Sequence, residues 1–366
     1  MAGAAGMTPL AARLVRQIAA TGPLTVADYM AACLMDPDHG YYVTREPFGT
    51  AGDFTTAPEI SQMFGELLGL ALAQAWMDQG APGRIALAEL GPGRGTLMAD
   101  MLRAAGQAAP GFVAAAELHL VEASPRLRQI QAGRLARHAP RWHDTADTLP
   151  EAPLWLVANE FFDALPVRQF LRAGDGWSER MVGVAGDPPR LVWGRAPAAP
   201  LAALAHRLGD TADGELVEIC PAAGPIATAI AGRIARHGGA ALIVDYGGWR
   251  SRGDTLQALG GHARADPLAR PGRDDLTAHV DFEPMAKAAR AAGAAVAGPV
   301  AQGVLLQRLG IDARAARLAQ GMDDARRAAH GAAHRRLTDP QEMGTLFRVL
   351  AIHPPGAPPP PGFTPG

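Results

Sequence analysis

The stretch Ala88-Glu89-Leu90-Gly91-Pro92-Gly93-Arg94-Gly95-Thr96 sets three glycines at alternate positions directly behind an acidic residue. The residues leading into it, 84–90, are short and apolar enough for a buried strand. In the residues that follow, 96–105, Leu97, Met98, Met101 and Leu102 share one helical face. A glycine-rich turn between a strand and a helix lets backbone amides and the helix N-terminus come close to a ligand. By itself this signal is weak. The dinucleotide fingerprint Gly-x-Gly-x-x-Gly needs its third glycine three positions after the second, where this chain has Thr96.

The strand-helix alternation continues outward. Residues 117–123, 153–159 and 240–248 are further continuous apolar runs, and Ser124 with Pro125 opens a helix after the first of them. Such strands, buried on both faces and separated by helices, predict an α/β fold around a parallel, doubly wound sheet. Residues 167–195 break the pattern with three extended runs joined by Gly-Asp-Gly and Gly-Asp-Pro-Pro turns, which predicts an antiparallel β insertion. Residues 346–352 form a final strand, and the proline-rich residues 356–366 are expected to be a tail without regular packing.

Toward the N-terminus, Thr8 and Pro9 open a helix that ends at Gly22-Pro23 and leads into a second capped segment at Thr25. The first of these helices is Arg-containing, acid-free and amphipathic, as a transit peptide would be, but its capping reads as part of the fold. A long loop, 36–59, precedes an amphipathic helix with Ile60, Met63, Phe64, Leu67, Leu68, Ala71 and Leu72 at helical spacing. Thr56 and Glu59 have the spacing of a capping box at its start. Asp53 and Thr55 have no such structural explanation and are expected to fold over a bound cofactor as part of a lid.

The acidic residue decides which cofactor. Glu89 would crowd a pyrophosphate with like charge, whereas S-adenosylmethionine carries an ammonium, a sulfonium and a ribose diol. Glu122 ends the second strand, where a carboxylate meets ribose hydroxyls. Asp144, with Trp142 and His143, follows the third strand, where adenine is expected. The pattern acid-x-Gly-x-Gly-x-Gly resembles the first motif of class I S-adenosylmethionine-dependent methyltransferases, which implies a Rossmann-like sheet with an antiparallel final strand.

The chemistry is expected beyond the fourth strand, in Asn159-Glu160-Phe161-Phe162-Asp163. Enzymes that methylate neutral amines often have prolines where Glu160 and Phe161 stand. A neutral nitrogen does not need a carboxylate. A guanidinium does, because it stays protonated and presents a planar fork of donors that matches carboxylates. Glu160, Asp163 and Asn159 are the candidate catalytic residues, against the plainer reading that the two acids cap the next short helix.

Taken in order, residues 52–69, 89–103, 158–170, 243–248, 253–259, 275–282 and 346–352 are similar to the MidA-like family of methyltransferases. The resemblance runs from about residue 8 to 355. It implies a protein-arginine methyltransferase, symmetric dimethylation, and a substrate among the core subunits of respiratory complex I, whose assembly the mitochondrial member serves. It also implies a cytoplasmic location in a bacterium and the mitochondrial matrix in a eukaryote. On this reading 1–80 form a helical cap and substrate lid. Residues 81–170 and 215–355 form the methyltransferase domain, with helical additions in the second part, and 171–214 are the β insertion.

Composition narrows the alternatives. Lys+Arg 34 against Asp+Glu 36 gives a net charge of -2, and all but one of the basic residues are arginine, so no global charge draws the chain to nucleic acid. Two cysteines, Cys33 and Cys220, make a disulfide framework or a cysteine metal site improbable, and no apolar run reaches membrane-spanning length. Asp275, Thr277, His279 and Asp281 lack the partners of a metal site, and none is expected. An NAD(P) dehydrogenase, opposed by Glu89, a methyltransferase acting on another protein or a small molecule, and a non-catalytic assembly factor stay as rival readings. A homo-oligomer stays open.

Overall fold

A computed structural model of the chain describes residues 7–44, 56–261 and 263–363. The expected lid residues Asp53 and Thr55 lie outside the described residues. The chain divides into two compact units. One draws on residues 1–54, 163–222 and 250–281, the other on 55–162, 223–249 and 282–366. This division falls elsewhere than the expected boundaries at 80, 170 and 214, because pairing between distant segments, not sequence neighbourhood, builds each unit.

The larger unit is built on a mixed sheet. Its strands are β1 (Ile85–Leu90), β2 (Ala116–Val121), β3 (Arg141–His143), β4 (Leu154–Asn159), β5 (Gly239–Gly248), β6 (Ala295–Ala301) and β7 (Phe347–His353). Their order across the sheet is β6-β7-β5-β4-β1-β2-β3. β1 through β5 pair in parallel, and β7 runs antiparallel between β5 and β6. The order reverses between β1 and β4, the topological switch point at which such sheets bind ligands beyond their carboxyl ends. Every residue of β1 and β4 is buried, which explains why both read as unbroken apolar runs.

The helix Gln62–Asp78 is not the one-sided amphipathic helix expected. Met63, Phe64, Gly65, Glu66, Leu67 and Leu68 are all buried in succession, so the helix is covered nearly all round. Its cap also differs from expectation. A separate short helix, Ala57–Ile60, precedes it, and Thr56 makes no side-chain capping bond there. Ser61 caps the long helix instead, accepting from the Met63 amide. Glu66 sits inside the unit because Arg314 binds both its oxygens, at 2.6 and 2.8 Å, and Arg103 adds a third contact at 2.8 Å. A carboxylate that deeply buried is tolerated only when paired in this way. The proline-rich C-terminal segment is also more ordered than expected. Phe363 is buried in the apolar core and the Gly362 carbonyl accepts from Arg308.

The smaller unit holds the predicted antiparallel element. Strands Arg168–Ala173, Gly176–Ala185 and Arg190–Arg195 form the expected meander, and Leu24–Thr25 and Leu216–Ile219 extend the sheet. The insertion is therefore longer at both ends than 171–214. The N-terminal helix Pro9–Thr21 starts as predicted, with the Thr8 hydroxyl accepting from Ala11 and Pro9 in its first turn. Leu10 and Leu14 are buried with Tyr29, Met30 and Leu276, which makes this helix part of the unit's core. No helix among the described residues is long and apolar enough to cross a membrane.

Candidate active site

The glycine turn after β1 is a run of left-handed backbone. Gly91, Gly93 and Gly95 have φ of 62°, 52° and 75°, a region in which a Cβ would meet the following carbonyl. At Gly91 a Cβ would also lie 2.9 Å from the Phe161 ring, so the turn is closely packed there and a side chain would be both strained and crowded. The Gly91 amide donates to the Val121 carbonyl at the end of β2, which anchors the turn across the sheet.

Glu89 is buried beside this turn, and its Oε2 has no hydrogen-bond partner among the described residues. Burial, reinforced by the charge of Glu122, pushes its carboxyl up to about 8. A buried carboxyl left half-satisfied and next to a second acid is a site prepared for a cation. Glu122 is better supported. Its Oε1 accepts from the Ser124 amide at 2.8 Å and its Oε2 from Gln131 at 3.2 Å, although burial still raises its carboxyl.

Gln131 was not singled out from the sequence, yet it links three parts of the site. Its amide donates to the Gly93 carbonyl at 2.8 Å and to Glu122, and its oxygen accepts from the Trp142 indole at 2.8 Å. It lies on the helix Pro125–Arg134, and a glutamine in a helix carries no local signal of such contacts. Trp142 thus has a positioning contact. Asp144 is exposed and pairs with Arg128 at 2.5 Å. Glu59, read as a capping-box residue, instead accepts from the Thr96 hydroxyl at 2.6 Å, and Thr96 in turn accepts from Arg134.

The turn after β4 is built differently. Glu160 has φ of 51°, left-handed without being glycine. Its amide donates to the Val244 carbonyl of β5, and its Oε1 accepts from Asn159 Nδ2 at 3.0 Å and from the Ala57 amide at 3.2 Å. Asn159 Oδ1 is buried with no partner among the described residues. Asp245 stabilises this turn from β5, its Oδ2 accepting from the Phe162 amide at 3.0 Å and its Oδ1 from the Tyr246 amide. Asp163 belongs to the smaller unit, where it is buried, its carbonyl accepts from the Ala278 amide, and its charge helps to raise the Tyr42 hydroxyl.

Residues 67–300 match the family described as "Putative S-adenosyl-L-methionine-dependent methyltransferase". The chain belongs to this family. The mouse relative named "Protein arginine methyltransferase NDUFAF7, mitochondrial" is 40% identical over 95% of this chain and 85% of its own length. The human protein of the same name is 37% identical over 95% and 84%. Among solved structures, a COG1565 superfamily member from Burkholderia thailandensis, bound to S-adenosyl-homocysteine, superimposes with a TM-score of 0.81 at 33% identity. That match covers 94% of this chain and 91% of the other.

The protein is therefore a methyltransferase with S-adenosylmethionine as its cofactor, and the reading as an NAD(P) dehydrogenase falls. The residues present fit that group. The half-satisfied Glu89 suits its ammonium, the glycine turn carries no side chains between its backbone and a ligand at three positions, and Glu122 retains acceptor capacity for a ribose diol. When bound, the cofactor supplies an electrophilic methyl on a sulfonium.

Proposed function

We propose that this methyltransferase acts on arginine side chains of a protein, with Glu160 orienting the guanidinium. The observation that carries the reading is the Glu160 backbone, left-handed at φ 51° in a position where glycine would be free of strain. Such conformations cost about 1–3 kcal/mol and persist where the surrounding structure requires them. Two alanines, Ala81 and Ala139, share that region, and what sets Glu160 apart is the carboxylate it carries beyond the end of β4. Its carboxylate is held by Asn159 and the Ala57 amide, and the next residue, Phe161, packs against Gly91 of the glycine turn.

A guanidinium needs a carboxylate both to align its planar fork and to draw positive charge away from the attacking nitrogen. Glu160 supplies that group, with Asn159 fixing its orientation and Asp163 as a second candidate. Glu89, Gly91, Gly93, Gly95 and Glu122 are assigned to the cofactor, with Asp144, Asp53 and Thr55 as further candidates. The relatives named as protein arginine methyltransferases support the substrate class. On the family resemblance, the substrate is a subunit of the complex I peripheral arm, the product is symmetric dimethylarginine, and the enzyme works where that complex is assembled.

The test is Glu160→Gln, which keeps shape and removes charge. Losing one charged hydrogen bond costs about 1.5–3 kcal/mol, so turnover on a protein substrate should fall roughly 10- to 150-fold. S-adenosyl-homocysteine affinity, measured by calorimetry, should be unchanged. Loss of cofactor binding would move Glu160 into the cofactor pocket, and no loss of either would leave it as the cap of the helix Ala57–Ile60.

A further inference from the structure

Away from the glycine turn, the larger unit contains a cavity of about 480 Å³ lined by Gly248, Trp249, Gly298, Pro299 and Arg348. That volume falls within the range of small-ligand and side-chain pockets. Three properties distinguish it. Trp249 is 39% exposed, one of the few large apolar side chains left in solvent. Arg348 is half-buried, yet it makes no side-chain hydrogen bond or ion pair with any described residue. Around them, Gly248, Gly298 and Pro299 keep the walls low, with no large side chain to fill the space.

Its position ties the cavity to the chemistry. Arg348 on β7 is the strand partner of Asp245 on β5, and opposed residues on antiparallel strands project from the same face. Asp245 makes no ion pair with it; its oxygens accept from the Phe162 and Tyr246 amides. Trp249 follows the end of β5 directly, and its carbonyl accepts from the Glu283 amide, which holds the backbone there. The cavity therefore opens one strand away from the turn that presents Glu160.

We infer that this cavity is a docking site for an acidic side chain of the protein substrate, so that the enzyme selects arginines with a carboxylate nearby in the chain. This rests on the reading of the chain as a protein-arginine methyltransferase and adds a selection rule to it. An unpaired guanidinium beside an aromatic face and bare backbone matches a carboxylate on a flexible stem, the fork supplying paired donors and the indole covering the methylenes. The same guanidinium repels lysine- and arginine-rich segments. Glu160 and Arg348 together then match a substrate segment of mixed charge, with its arginine toward the first and its acid toward the second.

The experiment uses three synthetic peptides, each with one arginine, flanked at two to four residues by glutamate, glutamine or lysine. A fourth peptide carries the glutamates without the arginine. Binding is measured by calorimetry on the full chain saturated with S-adenosyl-homocysteine, and methylation by mass spectrometry. The glutamate peptide should bind about five- to tenfold more tightly than the glutamine peptide, as for a partly exposed charge pair, and the lysine peptide most weakly. Arg348→Gln should erase the preference, and Arg348→Glu should reverse it in favour of lysine, without changing S-adenosyl-homocysteine affinity. Trp249→Ala should weaken glutamate binding and leave the order intact.

Equal binding of the first three peptides by the unaltered protein would overturn the inference. So would a glutamate preference that survives Arg348→Gln, or a site that inorganic phosphate occupies and the glutamate peptides do not. The arginine-free peptide separates the two readings. If it binds through Arg348 while no arginine peptide is methylated, the docking site stands and the substrate assignment fails.

Discussion

Two turns on the same sheet, after β1 and after β4, solve one backbone problem in opposite ways. The first needs left-handed backbone at three positions and uses Gly91, Gly93 and Gly95. The second needs it once and uses Glu160. Glycine is the low-strain solution wherever the ligand must approach the backbone itself. Ala81 and Ala139 are left-handed as well, but of the three only Glu160 brings a carboxylate, and it does so beside the glycine turn. The contrast separates a turn that makes room from a turn that delivers a group.

The comparison can be broken most forcefully at Gly91. A Gly91→Val substitution adds left-handed strain of about 1–2 kcal/mol and overpacking of about 1–3 kcal/mol, so S-adenosyl-homocysteine affinity should fall roughly 100-fold. Calorimetry showing native affinity in a folded variant would mean that the turn does not hold the cofactor.

A finer test compares two variants of the second turn. Glu160→Ala and Glu160→Gly both lose the carboxylate and its bonds to Asn159 and Ala57, but only alanine retains the strain. The glycine variant should therefore be the more stable, by about 1 kcal/mol in denaturant titrations, and both should be equally poor in turnover. An alanine variant as stable as the glycine variant would remove the argument from strain.

A pH-dependent effect concerns the carboxylate beside the first turn. Glu89 has its carboxyl raised from 4.5 to about 8 in the folded protein. A carboxyl raised on folding contributes stability that is complete below its unfolded value and is lost as pH rises through its folded value. Between pH 6.5 and 8 the cofactor-free protein should therefore lose stability, by at most about 1.4 kcal/mol per pH unit from this group. Glu89→Gln should flatten that slope. His119, held down to about 4 by burial and by His143, changes charge below this window and does not obscure it. Calorimetry near pH 7 in buffers of different ionisation enthalpy should also detect a proton released when S-adenosyl-homocysteine binds, because its ammonium favours the ionised carboxyl.

The larger sheet was legible because β1, β2, β4 and β5 are buried apolar runs of strand length, and because turn glycines and Ser124 punctuate them. Glu89, Glu122 and the glycines were legible for the same reason, since register along a strand fixes where its end lies. What escaped was set by distant partners. Gln131 joins Gly93, Glu122 and Trp142 through contacts up to 38 residues apart. Glu59 met Thr96 instead of its own helix N-terminus, a tertiary contact that overrides the local capping pattern. The smaller unit escaped in outline, because its sheet joins Leu24–Thr25 to strands more than a hundred residues later.

The place of β7 has a consequence for biosynthesis. Of the strands described it comes last in the chain, yet it lies inside the sheet, between β5 and β6. As the chain leaves the ribosome, β5 can pair with β4 on one side, while the edge that β7 covers waits for the roughly hundred residues between them. An open apolar strand edge invites pairing with other chains. The nascent protein thus carries an open apolar edge until β7 emerges, and a premature stop before residue 347 removes an interior member of the sheet, not a trimmed margin.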